Sequence, residues 1–380
     1  MSGAQGTELT VHNVAPSVSG DSAAANDPEV SMHADGSLAA AFVNDGVDTT
    51  DLVIWKTLDP SQQPSSVLEI YQLKGDLPPR RVGYAELSAS AGPTVNPTVL
   101  VGDIDPAFPG SEVVVVGGDS QGRRARVCVF GGTSEAGLHL LSDFTMPRRA
   151  MGDEPSVPMI GDVVADSRHA GPELVMGGRR GRVYAVGLDH GEPTLLSVLR
   201  AFPDRLQASA QKLAVGDLIP DNPGDEIVVG DDGTVGDGLV RIFDSRTQRA
   251  LMEFQAFPVG SAPAGVELWV GDVMGAFPGA ELIVGQGAAG GRLSVFTLAS
   301  GAPTHILDVP DPLQRNTTLH GHLAIGNLLS GLDGNEIAIA QGDPRIPVQI
   351  FNLDVDRNHA AAAVQPSGAM EAVMSIATTY

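Results

Sequence analysis

Carboxylates are the side chains in this sequence whose spacing most suggests chemistry. Five segments carry them in one pattern. They are VGDIDPAFPGSEVVVVGG from Val101, IGDVVADSRHAGPELVMGG from Ile160, VGDLIPDNPGDEIVVG from Val215, VGDVMGAFPGAELIVG from Val270 and IGNLLSGLDGNEIAIAQG from Ile325. Each runs from an apolar stretch through a glycine to a polar residue: Asp103, Asp162, Asp217, Asp272 or Asn327. A turn-rich stretch follows, and a glutamate (Glu112, Glu173, Glu226, Glu281, Glu336) opens a second apolar run. Calcium takes about six to eight oxygens, with carboxylates at alternate loop positions and an acid at the end. The first loop offers Asp103, Asp105 and Glu112 but has Ala107 at its fifth position. The second offers Asp162, Asp166 and Glu173 with two extra residues, and the third Asp217, Asp221 and Glu226, with Asp225 alongside and Ile219 at its third position. The fourth has only Asp272 and Glu281, and the fifth Asn327, Asp333 and Glu336. The first and third loops are the best calcium candidates, followed by the second. The same residues can also close a loop without metal. Aspartate can accept backbone N–H bonds, glycine supplies the turn angle, and the glutamate can accept bonds from its own loop or a neighbour.

Arginine is the other unevenly placed side chain. Arg80, Arg81, Arg123, Arg124, Arg126, Arg148, Arg149, Arg168, Arg179, Arg180, Arg182, Arg200 and Arg205 make thirteen of the 23 basic residues, gathered in one third of the chain. Arginine suits bidentate contacts to carboxylate or sulfate. The pairs Arg123–Arg124 and Arg179–Arg180 fall in hairpins, and Arg80–Arg81 and Arg148–Arg149 fall where one repeat is expected to hand over to the next. A basic patch on one rim, facing an acidic protein or glycan, is one reading. Pairing with nearby acids on a solvated surface is the other.

Weaker patterns read as structure. Gly118 to Gly122 fits G-x-S-x-G, but a strand rather than a helix follows, so a hairpin is expected. Gly285 to Arg292 is glycine-rich but leads into no helix that could hold a phosphate. His320 and His322 could share one strand face as a metal pair, though no third ligand is placed, and Asn316-Thr317-Thr318 is a glycosylation sequon. Cys128, the sole cysteine, lies in the apolar run RVCVF and reads as a buried, inert thiol; one cysteine makes no disulfide framework.

The five segments define the elements that must position these residues. Successive Asp/Asn positions are 59, 55, 55 and 55 residues apart, so the chain is a repeat array. After each segment comes a third strand (RARVCVF, GRVYAVGL, GLVRIFD, GRLSVFTL, VQIFNLD), and after the first four a fourth strand, ending in DFTMP, LRAFP, FQAFP or LDVP. Proline suits the exit from an edge strand because it donates no ladder bond. Four short antiparallel strands per repeat make a propeller blade. Pro28 to Leu73, with a turn at Asp35-Gly36, reads as a degenerate first copy. The expected fold is all-β: a six-bladed β-propeller of four-stranded antiparallel blades, with seven blades as the alternative. Residues 1–27 are expected to be loose. One propeller domain covers 28–380, with blades near 28–90, 91–147, 148–203, 204–258, 259–310 and 311–380. AMEAVMSIATTY is favoured over TELTVHNV as the last outer strand.

The motif h-G-D-x6-G-x-E-h-h-h-G followed by G-x-h-x-h-F, over about residues 95 to 355, resembles the FG-GAP and VCBS repeats of integrin-alpha-type propellers. The loop GDIDPAFPGSEV is also similar to repeats of rhamnogalacturonan lyase propellers. The resemblance implies a propeller whose inter-strand loops often bind calcium, the fullest such loop carrying acids at its first, third, fifth and ninth positions. It spans adhesion, lectin, lyase and scaffolding roles.

Composition narrows these roles. A formal charge of -23 argues against nucleic-acid or anionic-membrane binding. No basic and apolar leader opens the sequence, and no apolar run is long enough to span a membrane. The compartment stays open between cytoplasmic and extracellular. The favoured function is a non-catalytic module that presents inter-blade loops to a protein or glycan partner, with structural calcium as a possible cofactor. A calcium-assisted polysaccharide lyase and a structural subunit of a larger assembly are the alternatives. Aromatic residues make up 4%, with Trp55 and Trp269 the only tryptophans, which counts against a sugar-binding cleft.

Overall fold

A computed structural model describes residues 32–33, 37–44, 50–57, 66–73, 80–87, 95–108, 110–118, 125–131, 138–146, 158–164, 169, 171–178, 180–203, 212–231, 233, 238–258, 265–286, 292–309, 323–326, 336–339, 348–353 and 362–364. The described strands are antiparallel and pair with their neighbours in sequence order. The fold is an all-β propeller of four-stranded antiparallel blades.

Four blades carry the described core. The first of these is β6 (Val95–Gly102), β7 (Glu112–Gly118), β8 (Ala125–Gly131) and β9 (His139–Thr145). The next is β10 (Met159–Gly161), β11 (Glu173–Gly178), β12 (Arg182–Asp189) and β13 (Glu192–Arg200). Then come β14 (Lys212–Gly216), β15 (Glu226–Gly230), β16 (Leu239–Asp244) and β17 (Arg249–Gln255), and after them β18 (Val266–Gly271), β19 (Glu281–Gln286), β20 (Leu293–Thr297) and β21 (Thr304–Val309). We call them the Asp103, Asp162, Asp217 and Asp272 blades after the residue that follows each first strand.

A five-stranded sheet precedes them: β1 (Met32–His33), β2 (Ser37–Asn44), β3 (Thr50–Thr57), β4 (Ser66–Leu73) and β5 (Arg80–Leu87). A four-stranded sheet follows: β22 (Leu323–Gly326), β23 (Glu336–Ile339), β24 (Val348–Phe351) and β25 (Ala362–Val364).

These flanking sheets correct two expectations. The strand β2 packs against β6, as β14 packs against β18, so β2 stands where a first strand would in its sheet and the turn near Asp35 lies ahead of it. The true counterpart of the Asp–Glu loop is the shorter NDGVDTTD stretch, where Asn44 pairs with Thr50. Arg80 and Arg81 open β5 opposite Gln72 and Tyr71 rather than lying between blades. In the last sheet, the outermost strand is β25, drawn from chain close to β24. AMEAVMSIATTY and TELTVHNV both lie outside the described residues, as does the segment 1–27.

The core lies between blades rather than inside one sheet. Val114, Val116, Val127 and Val129 of the Asp103 blade meet Leu174, Met176, Tyr184 and Val186 of the next. Val175, Val183, Ala185 and Leu199 on the opposite face of that second blade meet Leu213, Val215, Ile227 and Val229 of the third. A strand packed on both faces needs apolar residues at every position, which is why β7 and β15 read as unbroken runs, EVVVVGG and EIVVG, buried throughout. Each fully buried valine or leucine contributes about 1.5–3 kcal/mol.

Two further devices join blades. The glycines Gly102, Gly161 and Gly271, which end first strands, each receive an apolar side chain of the following sheet. A Cβ on Gly102 would lie 3.1 Å from Ile160 Cδ1, and one on Gly161 would collide with Val215. On the outer side, the Arg241 guanidinium lies 5.1 Å from the centre of the Phe202 ring, and that of Arg292 lies 5.9 Å from Phe257. The phenylalanine of each AFP exit thus carries a cation from the following blade.

Candidate functional site

The repeated carboxylates occupy one place in the four blades and in the sheet β22 to β25. The glycine before the aspartate pairs with the glutamate in register: Gly102 with Glu112, Gly161 with Glu173, Gly216 with Glu226, Gly271 with Glu281 and Gly326 with Glu336. The second loop keeps that register although it is two residues longer.

Four of these glutamates, all but Glu336, are described as fully buried, and each does the same thing. One oxygen, Oε2, accepts two backbone N–H bonds from the residues just after the aspartate. The donors are Ile104 and Asp105 to Glu112 (2.9 and 3.1 Å) and Val163 and Val164 to Glu173 (2.8 and 3.1 Å). Leu218 and Ile219 donate to Glu226 (2.9 and 3.0 Å), and Val273 and Met274 to Glu281 (3.0 and 3.0 Å). Glu226 spends its other oxygen as well, on Asn222 Nδ2 at 2.6 Å. Burial pushes Glu112, Glu173 and Glu226 up to about 7, against the pull of these N–H bonds; Asp103 and Asp105 add to the rise at Glu112.

The aspartates do not gather around the glutamates. Asp103, Asp162, Asp217 and Asp272 are exposed, as is Asp221, and Asp166 lies outside the described residues. Asp105 is fully buried and turns away to the neighbouring blade. Its Oδ1 accepts N–H bonds from Ala107 and His190 (both 3.1 Å), and its Oδ2 one from Gly191 at 2.6 Å. His190 and Gly191 form the turn between β12 and β13 and both have positive φ, 53° and 78°. Asp105 therefore fixes the outer hairpin of the Asp162 blade to the loop of the Asp103 blade.

The next two junctions use a related clasp. Asp225 N–H donates to the Asp162 carbonyl at 2.8 Å, while its carboxylate accepts the Asp162 N–H, also at 2.8 Å. Ala280 N–H donates to the Asp217 carbonyl at 3.0 Å. The residue before Glu173 in this series is Pro172, which has no N–H to give. Asp105 supplies the missing attachment at that one junction. Sequence reasoning set Asp105 among metal ligands because its neighbour across the blades could not be seen. The signal that could have found it is the proline at a donor position.

The described oxygens of these sets point to backbone and side-chain donors. A cation needs oxygens facing it, and the oxygens of Asp105, together with Oε2 of Glu112 and Glu173, face N–H groups instead. Glu226 has both oxygens taken this way. No group of three or more metal-ligating side chains forms among the described residues.

The arginines divide. Arg126 makes a two-point ion pair with Asp143, Nε to Oδ1 at 2.8 Å and Nη2 to Oδ2 at 2.5 Å. Arg241 pairs with Glu253, Arg292 with Asp308 and Lys212 with Glu267. Arg180, Arg182 and Arg200 are exposed and have no acidic partner among the described residues. Arg123, Arg124, Arg148, Arg149 and Arg179 lie outside the described residues, as do His320, His322 and the sequon at Asn316.

Cys128 is buried, 3.9 Å from Asp143, and burial, with the Asp143 charge, pushes its thiol up to about 12, so it stays protonated and unreactive. Gly118 pairs with Ala125 across β7 and β8, so the G-x-S-x-G stretch joins a hairpin. Gly285 pairs with Leu293 in the same way. No described helix is long and apolar enough to cross a membrane.

No family model matches the chain, and the search of curated proteins returns no match. Among solved structures, a chain of "Crystal Structure of Mitotic Checkpoint Complex" is similar at a TM-score of 0.46 and 13% identity, covering 95% of this chain and 88% of that one.

Proposed function

We propose that the protein is a non-catalytic interaction module: a six-bladed propeller that presents its rim and inter-blade loops to a protein partner. One observation carries this reading. The carboxylates repeated after the first strands of the four described blades are spent on closing loops and clasping neighbours, so these shared residues build the ring and the unshared surface is left for recognition. The six-blade count rests on β2 to β5 as a blade packed on β6 and on β22 to β25 as a blade complete in contiguous chain. The likeness to FG-GAP and VCBS repeats supports the strand order and the loop position. The loops close on backbone N–H groups without metal.

The test is capture of partners by the full chain from its native extract, with crosslinking, against the same chain unfolded by heat. Capture by the folded chain alone is expected, and equal recovery by both would overturn the reading. A chelator should leave the melting temperature unchanged. A fall that calcium reverses would overturn the metal-free closure.

A further inference from the structure

The blades differ most at the outermost strand, and the Asp162 blade is the one that departs. The third and fourth strands of each of the four blades share a register shift at one place, after Val129, Ala185, Ile242 and Val295. Aligned on it, Cys128, Tyr184, Arg241 and Ser294 are equivalent, and the residues opposite them are Asp143, Val198, Glu253 and Asp308. Three blades therefore hold an acid where the Asp162 blade holds valine. In those three, the acid neutralises a nearby cation: Arg126, Arg241 or Arg292.

In the Asp162 blade the cations stay and the acid is gone. Arg182 sits at the position of Arg126, and the residue directly opposite it is Arg200. Like charges directly opposite each other on paired strands repel and destabilise the sheet. Arg180 adds a third cation, since Ala201 N–H donates to the Gly181 carbonyl at 2.6 Å and so brings the end of β13 onto the turn that carries Arg180. The Phe202 and Phe257 rings receive arginines of the following blades, but the equivalent exit before Arg182 is Met146, which has no aromatic face to offer.

Two independent observations point to a ligand. The Tyr184 hydroxyl is buried and has no hydrogen-bond partner among the described residues. It lies on the same strand face as Arg182 and Arg200, because Tyr184 pairs with Val198 and Arg182 with Arg200. Beside these polar groups, Leu195 is 54% exposed and Val198 40%. Leu195 pairs with Val186, which shares the Tyr184 face of the sheet. Arginines and exposed apolar side chains thus line one edge, with the buried hydroxyl beneath them on β12, and β13 ends its sheet with no further partner strand among the described residues.

We propose that this edge, Arg180, Arg182 and Arg200 with the Tyr184 hydroxyl, docks an extended, carboxylate-rich segment of a partner protein. The inference rests on the interaction-module reading and names its surface. Carboxylates complement the three arginines and the hydroxyl. Apolar residues two positions from the carboxylates, on the same face of the segment, cover Leu195 and Val198, and the segment's backbone can add as a strand to β13. An acidic glycan would meet the arginines but leave the two apolar side chains uncovered.

Fluorescence anisotropy of the full chain tests this, using a labelled peptide of Glu-Ser-Leu-Ser repeats, which puts glutamate and leucine on one face of an extended strand, and, as control, its lysine counterpart. The glutamate peptide should bind, weaken as salt rises, and lose at least tenfold in affinity for R182E/R200E at unchanged melting temperature. The milder R182Q/R200Q pair should lose affinity in the same direction, which guards against a misfolded charge reversal. Y184F should bind the peptide more weakly. The proposal is overturned if the glutamate peptide does not bind, if both arginine variants bind it as well as the parent chain, or if a sulfated oligosaccharide binds here and the peptide does not. The two readings fail separately. A captured partner that R182E/R200E retains removes this surface alone, whereas a folded chain that captures nothing removes the interaction-module reading.

Discussion

The loops after the first strands and the outermost strands behave in opposite ways. Four loops of different sequence place a buried glutamate on the same two backbone N–H groups. The outermost strands share a register but not a chemistry, with Asp143, Glu253 and Asp308 at a position where one blade has Val198. The difference teaches where each kind of information lies. The glutamate that recurs in four blades is bound up in folding, whereas the outermost strand that breaks the repeat leaves Arg182 and Arg200 without an acid opposite them.

The sharpest way to break that comparison is to remove a recurring glutamate. Glu226→Ala strands the N–H groups of Leu218 and Ile219 and the Asn222 amide in a buried site. Each unmet donor costs about 1–3 kcal/mol, so a loss of roughly 3–5 kcal/mol is expected in urea denaturation. Asp217→Ala, in the same loop but exposed, should stay within about 0.5 kcal/mol. Equal losses would mean that the aspartate and glutamate work together, as they would around a cation.

Second in size is the junction between blades. Gly161→Ala places a Cβ against Val215 and 2.9 Å from Asp225 Oδ2, the oxygen that holds the Asp162 N–H. Overpacking of this kind costs about 1–3 kcal/mol. Gly110→Ala is the comparison within an equivalent loop. Its Cβ would meet nothing within 4 Å, so only its backbone angle, φ of 100°, is disturbed. Thermal unfolding of both variants separates a collision between blades from strain within a loop.

The blade architecture was legible because five copies in phase report the register of each hairpin even when the loop lengthens, as before Glu173. The glutamate contact was legible as one of two alternatives, since a carboxylate at a strand start can accept loop N–H groups. Three things were hidden. The strand β3, TDLVIWKT, has no Gly-Asp signature, because its loop is shorter and lacks the glutamate. The role of Asp105 depends on His190 and Gly191, 85 and 86 residues away, a contact that only the stacking of blades creates. The pairing of Arg182 with Arg200, in place of an acid, depends on β-bulge register, which shifts the fourth strand by one residue and cannot be counted from sequence alone.

Acidity gives a third test of the loops. Glu112, Glu173 and Glu226 stand at about 7 in the folded chain against an ordinary value of 4.5. The folded state therefore holds protons that the unfolded state has released. The contribution of these groups is full below about 4.5 and is lost as pH rises through about 7. The melting temperature should be higher at pH 5.5 than at pH 8. Glu112→Gln keeps a carbonyl oxygen for Ile104 and Asp105 and removes the titration, so its profile should be flatter than that of the parent chain. An unchanged slope would place the pH dependence elsewhere.

The smallest effects belong to the outermost strands, and their signs matter more than their sizes. Arg126 and Asp143 are partly buried, with side chains 18% and 28% exposed, and meet at two points. Arg126→Ala should therefore cost about 0.5–1 kcal/mol, near the upper end for a pair open to solvent. The equivalent Arg182→Ala removes no attraction and relieves the repulsion from Arg200, so its effect should lie within about 0.5 kcal/mol of zero, on the stabilising side. Raising the salt concentration screens both interactions and should bring the two variants together. If Arg182→Ala instead destabilised the chain as much as Arg126→Ala, the two blades would be using their arginines alike. A gain in stability on removing Arg182 would mark it as a residue that the ring itself does not need.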